Sequence, residues 1–301
     1  MEKLYITALL TSIDSTVPWG NVLEVNVNAR FKEYQTNIEQ AQKAILPKGK
    51  SIREDSHQIL SPFSFKKGEN DFFIASSQFI ELEGEKLSPT YYPVSNDSKG
   101  TPFKDLLQDF KVHLSKLKSE NQLLALIRQY FSLVAVDDTG VSLYDYARLT
   151  AAITCCSKLN EKEGFPNNEL LFIKGDISGI QEYIFNITSK KAAKSLKTRS
   201  FRVQVLAKLA IEYILTKFGL PKANLLYDGG GNFYIFAPAS KESEIADLKK
   251  YFAEELVEDD LHVHLGYVRV KLNDLSDFTE KWTEVARSMG EDKLQLFKPL
   301  D

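Results

Sequence analysis

The chain has 301 residues, a formal charge of −3, 43% hydrophobic and 26% charged residues. That length suits one large domain or two to three small ones with real cores. The near-neutral balance argues neither for nor against nucleic acid, so any such contact needs a local basic patch. No run reaches the roughly 18 apolar residues that span a bilayer, and the N-terminus lacks a basic leader and a cleavage site. The expectation is a cytoplasmic chain with no membrane partner. The two cysteines, Cys155 and Cys156, are adjacent. Bonding them to each other would strain the backbone, so they predict buried thiols in a reducing compartment. Without a CxxC pair, a zinc ribbon is excluded from the reading.

In chain order, residues 1–58 are predicted to be partly helical. Leu4, Ala8 and Leu9 share one face, and "RFKEYQTNIEQAQKAIL" is an amphipathic helix ending before Pro47. Residues 59–103 form an extended connector: "DFFIASSQFIEL" favours strand and "SPTYYPVSNDSKGTP" is punctuated by turn formers. Residues 104–165 return to helical period in "FKDLLQDFKVHLSKL" and "ENQLLALIRQYFSLV". A third segment, "SLYDYARLTAAITCCSKL", follows, with Ser142 as N-cap and Asp145 three residues on. Residues 166–301 are the most regular. "ELLFIKGDI" is a strand; "SGIQEYIFNITSKKAAKSLKTRS" is a turn, a short helix and a basic linker. "FRVQVLAKLAIEYILTKFG" is a long helix closed by Gly219 before Pro221. "ANLLYD" and "NFYIFAP" form a hairpin, "SKESEIADLKKYFAEELVE" a helix with Ser240 as N-cap, and "LHVHLGYVRVKL" a last strand. The order β-α-β-β-α-β predicts an α+β, ferredoxin-like antiparallel sheet backed by two helices. This fold underlies polymerase-type palms and nucleotide cyclases and by itself fixes no function.

Palm-type nucleotidyl transferases hold two divalent metals on carboxylates from the first strand and from the central hairpin. Asp176 ends the first strand here. The hairpin, where active palms carry two acids after paired glycines, has Gly229-Gly230-Gly231-Asn232. Asp228 precedes the turn and by alternation faces elsewhere. One acid cannot hold two dications, so the palm is read as non-catalytic and without a metal site of its own. The glycines have two readings: a tight turn needing positive φ, or backbone that approaches a ligand or subunit closely. At the strand-to-helix turn, Asp176, Ser178, Gly179 and Gln181 offer N–H groups and a hydroxyl to phosphate or ribose; alternatively Ser178 caps its own helix. Lys190, Lys191, Lys194, Lys197 and Arg199 form a basic run, either a solvated face or a contact to triphosphate or RNA backbone. His262 and His264 share a strand face; packing competes with a metal pair that lacks a third ligand. No Ser/His/Asp arrangement is evident from spacing.

"GDISGIQEYIF", "TRSFRVQVLAKL" and "YDGGGNFYIFAP", in this order, resemble the first palm of the large subunit of type III CRISPR effector complexes, Csm type. "GVSLYDYARLTAAITCC" resembles the segment before that palm, and "FTEKWTEVARSMGEDKLQLF" the segment after it. The likeness covers roughly residues 60–301. It implies a role in antiviral defence. Family members begin with an HD nuclease domain, and Ala8, Leu9, Leu10 and Ile13 match its apolar frame. Thr11 and Ser12 stand where its His-Asp metal ligands would be. Residues 1–58 are therefore expected to be a degenerate, shortened HD remnant without DNase activity, or else an unrelated helical cap.

The resemblance also implies a second palm, with a Gly-Gly-Asp-Asp motif, that converts ATP to cyclic oligoadenylate. That palm is absent from this sequence, so the expectation is a split large subunit. The two palms would share ATP between them, with magnesium or manganese supplied through the partner. Other Csm-type subunits, crRNA and target RNA complete the expected assembly. The positions carried over to the nucleotide site are Asp176, Ser178, Gly179, Gln181, Arg199, Ser200, Gly229, Gly230, Gly231 and Asn232. No catalytic residue is assigned to this chain, which is expected to be inactive alone. The competing reading is a structural scaffold with a vestigial nucleotide pocket.

Overall fold

A computed structural model describes residues 2–16, 31–46, 58–60, 72–75, 94–95, 103–132, 134, 136, 141–185, 192–256 and 261–295. Residues 2–151 and 152–301 form two compact units. In the first, α1 (Glu2–Asp14) places Ala8, Leu9, Leu10 and Ile13 in its core, and α2 is the amphipathic helix Phe31–Ile45. Three strands, β1 (Gln58–Leu60), which starts one residue before the predicted connector, β2 (Phe72–Ala75) and β3 (Val94–Ser95) within it, pair antiparallel in the order β1-β2-β3. Helices α3 (Phe103–Leu114) and α4 (Glu120–Phe131) meet through aromatic contacts, with Phe110 and Phe131 ring centroids 4.8 Å apart. Ser119 caps α4 by accepting the Gln122 N–H. The predicted cap of α5 (Leu143–Lys162) is present: Ser142 Oγ accepts the Asp145 N–H at 2.9 Å and donates to its carboxylate at 2.7 Å.

The second unit is a mixed helix and antiparallel-sheet domain. Its elements are β4 (Glu169–Ser178), α6 (Ile180–Phe185), α7 (Ala192–Phe218), β5 (Leu225–Gly229), β6 (Asn232–Pro238), α8 (Glu244–Leu256), β7 (His262–Lys271) and α9 (Thr279–Lys293). The four strands lie in the order β5-β6-β4-β7, each pair antiparallel. Two central strands flanked by partners explain why β4 reads as a nearly continuous apolar run. Gly219, at φ 66°, closes α7, and the Leu220 N–H returns to the Leu215 carbonyl at 2.8 Å. Asn160, fully buried on α5, donates to the Glu169 carbonyl at 2.6 Å and accepts the Ser240 N–H at 3.0 Å, joining helix, first strand and the turn after β6. Cys155 and Cys156 are buried free thiols, and burial pushes the Cys156 thiol up.

Two local expectations are corrected. The basic segment before α7 is not a linker throughout: from Ala192 it is the first part of that helix, which carries Lys194, Lys197 and Arg199. Alanines between the lysines favour helix there. Lys190 and Lys191 lie outside the described residues. Ser240 does not cap α8. Pro238 ends β6, a 3-10 turn occupies Ala239–Lys241, and the helix begins only at Glu244.

Register assigns the two faces of this sheet. Asp176 pairs with Asn232 on one side and His264 on the other, so these three share a face with Lys174, Tyr234 and Gly266. Helix α9 covers that face: the Tyr234 and Trp282 rings stack at 4.6 Å, and Phe172 meets Phe278 at 4.9 Å. The helix comes so close that a Cβ on Gly266 would sit 2.4 Å from the Met289 nitrogen and 2.7 Å from its Cα. Gly266→Ala therefore has to push helix backbone, not a flexible side chain, away from β7. We expect it to cost about 1–3 kcal/mol, read as a lowered urea midpoint with unchanged slope; an unchanged midpoint would contradict this packing.

Candidate nucleotide site and its polar surroundings

The hairpin turn explains its own glycines. Gly230 and Gly231 have φ 62° and 89°, the left-handed region that side-chain-bearing residues avoid. Gly231 is also buried against α6, where a Cβ would stand 2.8 Å from Ile180 Cδ1, and its carbonyl accepts the Ile177 N–H at 3.1 Å. Beside this turn lies a cavity of about 390 Å³ between the hairpin, α6 and α7. Ile180, Ile184, Val203 and Ala207 supply an apolar lining. Ser200, Gln204, Lys208, Asp228 and the Gly229–Gly231 backbone supply the polar groups. An apolar slot with few polar groups suits a small planar ligand.

The expected site residues divide among three places. Ser200, Gly229, Gly230 and Gly231 line this cavity. Asp176, Ser178 and Asn232 lie on strands at the face covered by α9, while Gly179, at φ 82°, turns the chain into α6. Gln181 is exposed on the first turn of α6. Arg199 turns away from the cavity lining: it donates to the Tyr183 carbonyl and lies 5.1 Å over the Tyr183 ring, joining α7 to α6. Arg202 shares that ring at 5.8 Å. Sequence reasoning missed Gln204 and Lys208, although both lie with Ser200 at helical spacing.

Both acids near the hairpin already have cations. Asp176 is ion-paired to Lys293 of α9, and Asp228 to Lys208 of α7. They also lie on opposite faces: Asp176 pairs with Asn232, whereas Asp228 pairs with Phe233, the next residue along β6. Among the described residues no three His, Cys, Asp or Glu side chains converge as a metal-ligand group. The chemistry of this donor set is therefore that of two separate ion pairs rather than of a dication cradle.

A polar chain unseen in the sequence runs along the α9 side. Ser178 Oγ lies 2.9 Å from His264 Nε2, and His264 Nδ1 lies 3.3 Å from Asp292 Oδ2. Asp292 also accepts the Leu265 N–H at 3.1 Å and pairs with Lys249 at 2.5 Å. His264 is buried, and its ring centroid stands 6.3 Å from that of His262. The signal is invisible in spacing because the three residues are brought together only by β4–β7 pairing and the docking of α9.

Burial alone would raise the Asp292 carboxyl, but hydrogen bonds from His264 and Lys249, the lysine charge and the Leu265 N–H hold it below the usual carboxylate range. A carboxyl depressed by folding stabilises the fold above its unfolded pKa and loses that contribution as pH falls through the folded value. We expect stability below about pH 4 to fall more steeply in the wild type than in Asp292→Asn. Urea midpoints across an acid series check this, and parallel slopes would refute it.

Residues 169–301 match the family model for the Csm1 subunit domain B. A Methanocaldococcus jannaschii Cas10/Csm1 of subtype III-A, described as a CRISPR-system single-strand-specific deoxyribonuclease, is 32% identical over 199 residues; the match covers 52% of this chain and 25% of that protein. The Streptococcus thermophilus protein of the same description is 28% identical over 243 residues, covering 70% of this chain and 32% of that one. The chain thus spans about a quarter to a third of the length of these curated relatives. Among solved structures, an apo Csm1–Csm4 cassette superposes with a TM-score of 0.75 at 20% identity, covering 100% of this chain and 49% of that one. Cassettes in complex with one ATP and with cA4 each give 0.74. The resemblance read from the three ordered motifs is borne out: residues 169–301 match the Csm1 subunit domain B, and the chain is similar to Cas10/Csm1 subunits of subtype III-A CRISPR systems.

Proposed function

We propose that this chain supplies a non-catalytic, ferredoxin-like palm that forms one wall of an ATP site for cyclic oligoadenylate synthesis in an RNA-guided Csm-type complex. The observation that carries the reading is the placement of Asp176 and Asp228 on opposite sheet faces, each paired to its own lysine. The residues do not fit a pair of magnesium or manganese ions, so metal chemistry is assigned to a second palm bearing Gly-Gly-Asp-Asp. The β-α-β-β-α-β order and the strand order β5-β6-β4-β7 support the ferredoxin-like description. The cavity beside the glycine turn, with Ser200, Gln204 and Lys208 above apolar side chains, supports nucleotide binding. The Csm1 chains with one ATP and with cA4 supply the chemical class by likeness of fold. A Csm4-type subunit, crRNA and target RNA are the further partners this reading implies.

A docking face for the second palm is available on α7. Phe201, Val205 and Leu209 recur every four residues and are 66%, 37% and 61% exposed, with Phe185 of α6 69% exposed. This stripe occupies the helix sector next to Lys208 and the cavity, and an apolar patch of this kind marks an interaction surface. In the first unit, Thr11 Oγ1 is buried without a hydrogen-bond partner, and Ser12 Oγ donates to the Ala8 carbonyl at 2.6 Å. Neutral hydroxyls of this kind make poor ligands for a transition metal, which supports reading α1 as a degenerate HD remnant without nuclease activity.

The internal engagement of Asp176 and Arg199 favours one alternative, a scaffold subunit whose nucleotide pocket is vestigial. ATP turnover separates the two. The isolated chain should yield no product; a Gly-Gly-Asp-Asp palm, the guide complex and matching target RNA should restore turnover only when the chain is present. Gln204→Trp, which fills the cavity from an exposed helix position, should reduce that turnover about tenfold or more without lowering the melting temperature. Equal turnover with and without the chain would remove the proposal. Leu209→Asp should weaken association with the second palm at least about tenfold, measured by equilibrium sedimentation, while leaving the fold intact.

A further inference from the structure

The two edges of the four-stranded sheet are protected in different ways. β5, at one end of the order β5-β6-β4-β7, has five residues and a register shift between Leu225 and Tyr227. A short, irregular edge by itself discourages a new neighbour. β7, at the other end, has ten residues and pairs with β4 in unbroken register along its length. From His262 to Val268 it carries no Asp, Glu, Lys, Arg or Pro, the composition of a strand that readily accepts another. Alternate residues of an antiparallel pair turn their N–H groups away from the partner. In β7 these are the odd-numbered residues, and α9 takes two in succession. The Leu265 N–H donates to Asp292 Oδ2 at 3.1 Å, and the Tyr267 N–H donates to Ser288 Oγ at 3.0 Å. Further along, the Lys271 N–H donates to Asp274 at 2.9 Å, and Arg269 adds a charge held by Glu169 and Glu242.

The spacing makes this cover possible. Ser288 and Asp292 are four helix residues apart, a rise of about 6 Å. Leu265 and Tyr267 are two strand residues apart, about 6.6 Å. The two side-chain oxygens therefore repeat at nearly the interval of acceptors on a neighbouring strand. Gly266, between the two N–H groups, has no Cβ and lets the helix come this near. We propose that α9 is an autoinhibitory edge guard: Ser288 and Asp292 stand in for the carbonyls of a fifth strand, and their withdrawal lets β7 accept the β7 of a second copy of this chain. β7 suits itself in that role. Two copies related by a two-fold axis near Gly266 pair antiparallel and offer each other the same N–H and C=O groups. That pairing sets Arg269 of one copy opposite Val263 of the other, so the cations at the strand ends stay apart.

Equilibrium sedimentation and residue-resolved hydrogen exchange of the full chain test the guard. Ser288→Ala with Asp292→Ala removes both acceptors and should strengthen self-association about tenfold or more over the wild type, the scale of two hydrogen bonds. The Leu265 and Tyr267 amides of this variant should exchange faster than in the wild type when dilute and slow again when concentrated, as the second copy takes them. Ser288→Thr with Asp292→Asn keeps an oxygen at each position while removing the charge that faces Lys249, and should associate no more than the wild type. The proposal is overturned if the double alanine variant folds and sediments as the wild type does, or if it associates while both amides stay unprotected. It is also overturned if the Thr and Asn variant associates as strongly as the alanine one, since loss of the ion pair is then the cause. Should the alanine variant not fold, wild-type exchange decides. The Leu265 and Tyr267 amides should open together with those of α9; free exchange while α9 stays protected overturns the guard.

Discussion

The register of β4 between β6 and β7 is the constraint on which the rest of this domain depends. Side chains alternate across a sheet, so a one-residue difference in pairing partner decides a face. Asp176 opposite Asn232 and Asp228 opposite Phe233 differ by that single residue. The consequence is that the two carboxylates lie on opposite faces of the sheet. Each is neutralised locally, by Lys293 and Lys208, and a buried or half-buried anion without such a partner would be costly. Both carboxylate charges are balanced by side chains of the domain itself.

The same pairing makes room for α9. Gly266, at the face shared with Asp176, lets helix backbone come into direct contact with the sheet. That approach brings Asp292 to His264 and Lys293 to Asp176, so one glycine underlies two polar connections. The aromatic layer of Phe172, Tyr234, Phe278 and Trp282 secures the remainder of the helix. On the hairpin side, Gly231 does comparable work against Ile180 and leaves the cavity between turn, α6 and α7. Glycines thus shape both sides of the sheet for packing reasons, and the polar groups follow from that packing.

The separation of two lysine-paired carboxylates from an accessible cavity gives the proposed function its form. A surface that binds a nucleotide without activating it needs shape, a few hydrogen-bonding groups and a second body to close on it. The cavity provides the first two, and the apolar stripe of Phe201, Val205 and Leu209 provides a place for the third. Arg199 shows what composition alone leaves out. It lies in a basic run, and its guanidinium is held by Tyr183 on the neighbouring helix.

Much of the fold was legible because it is written in local periodicity and punctuation. The alternation of β7, the helical spacing of α7 with Gly219 at its end, the Ser142 cap and the glycine turn each report short-range physics. The absence of an acid pair after the hairpin glycines was equally plain in the sequence. Long-range matters were not legible. Ser178, His264 and Asp292 span more than a hundred residues of chain, and only strand pairing and the close docking of α9 bring them together. The start of α8 escaped prediction for a similar reason, since the Ser240 backbone is held by the distant Asn160. The sequence by itself determined the order of the main elements in residues 166–301 and the lack of an acid pair after the hairpin glycines. The tertiary structure alone decided the face on which each side chain lies and the partner it meets, because those depend on register and on backbone approach, which no local pattern encodes.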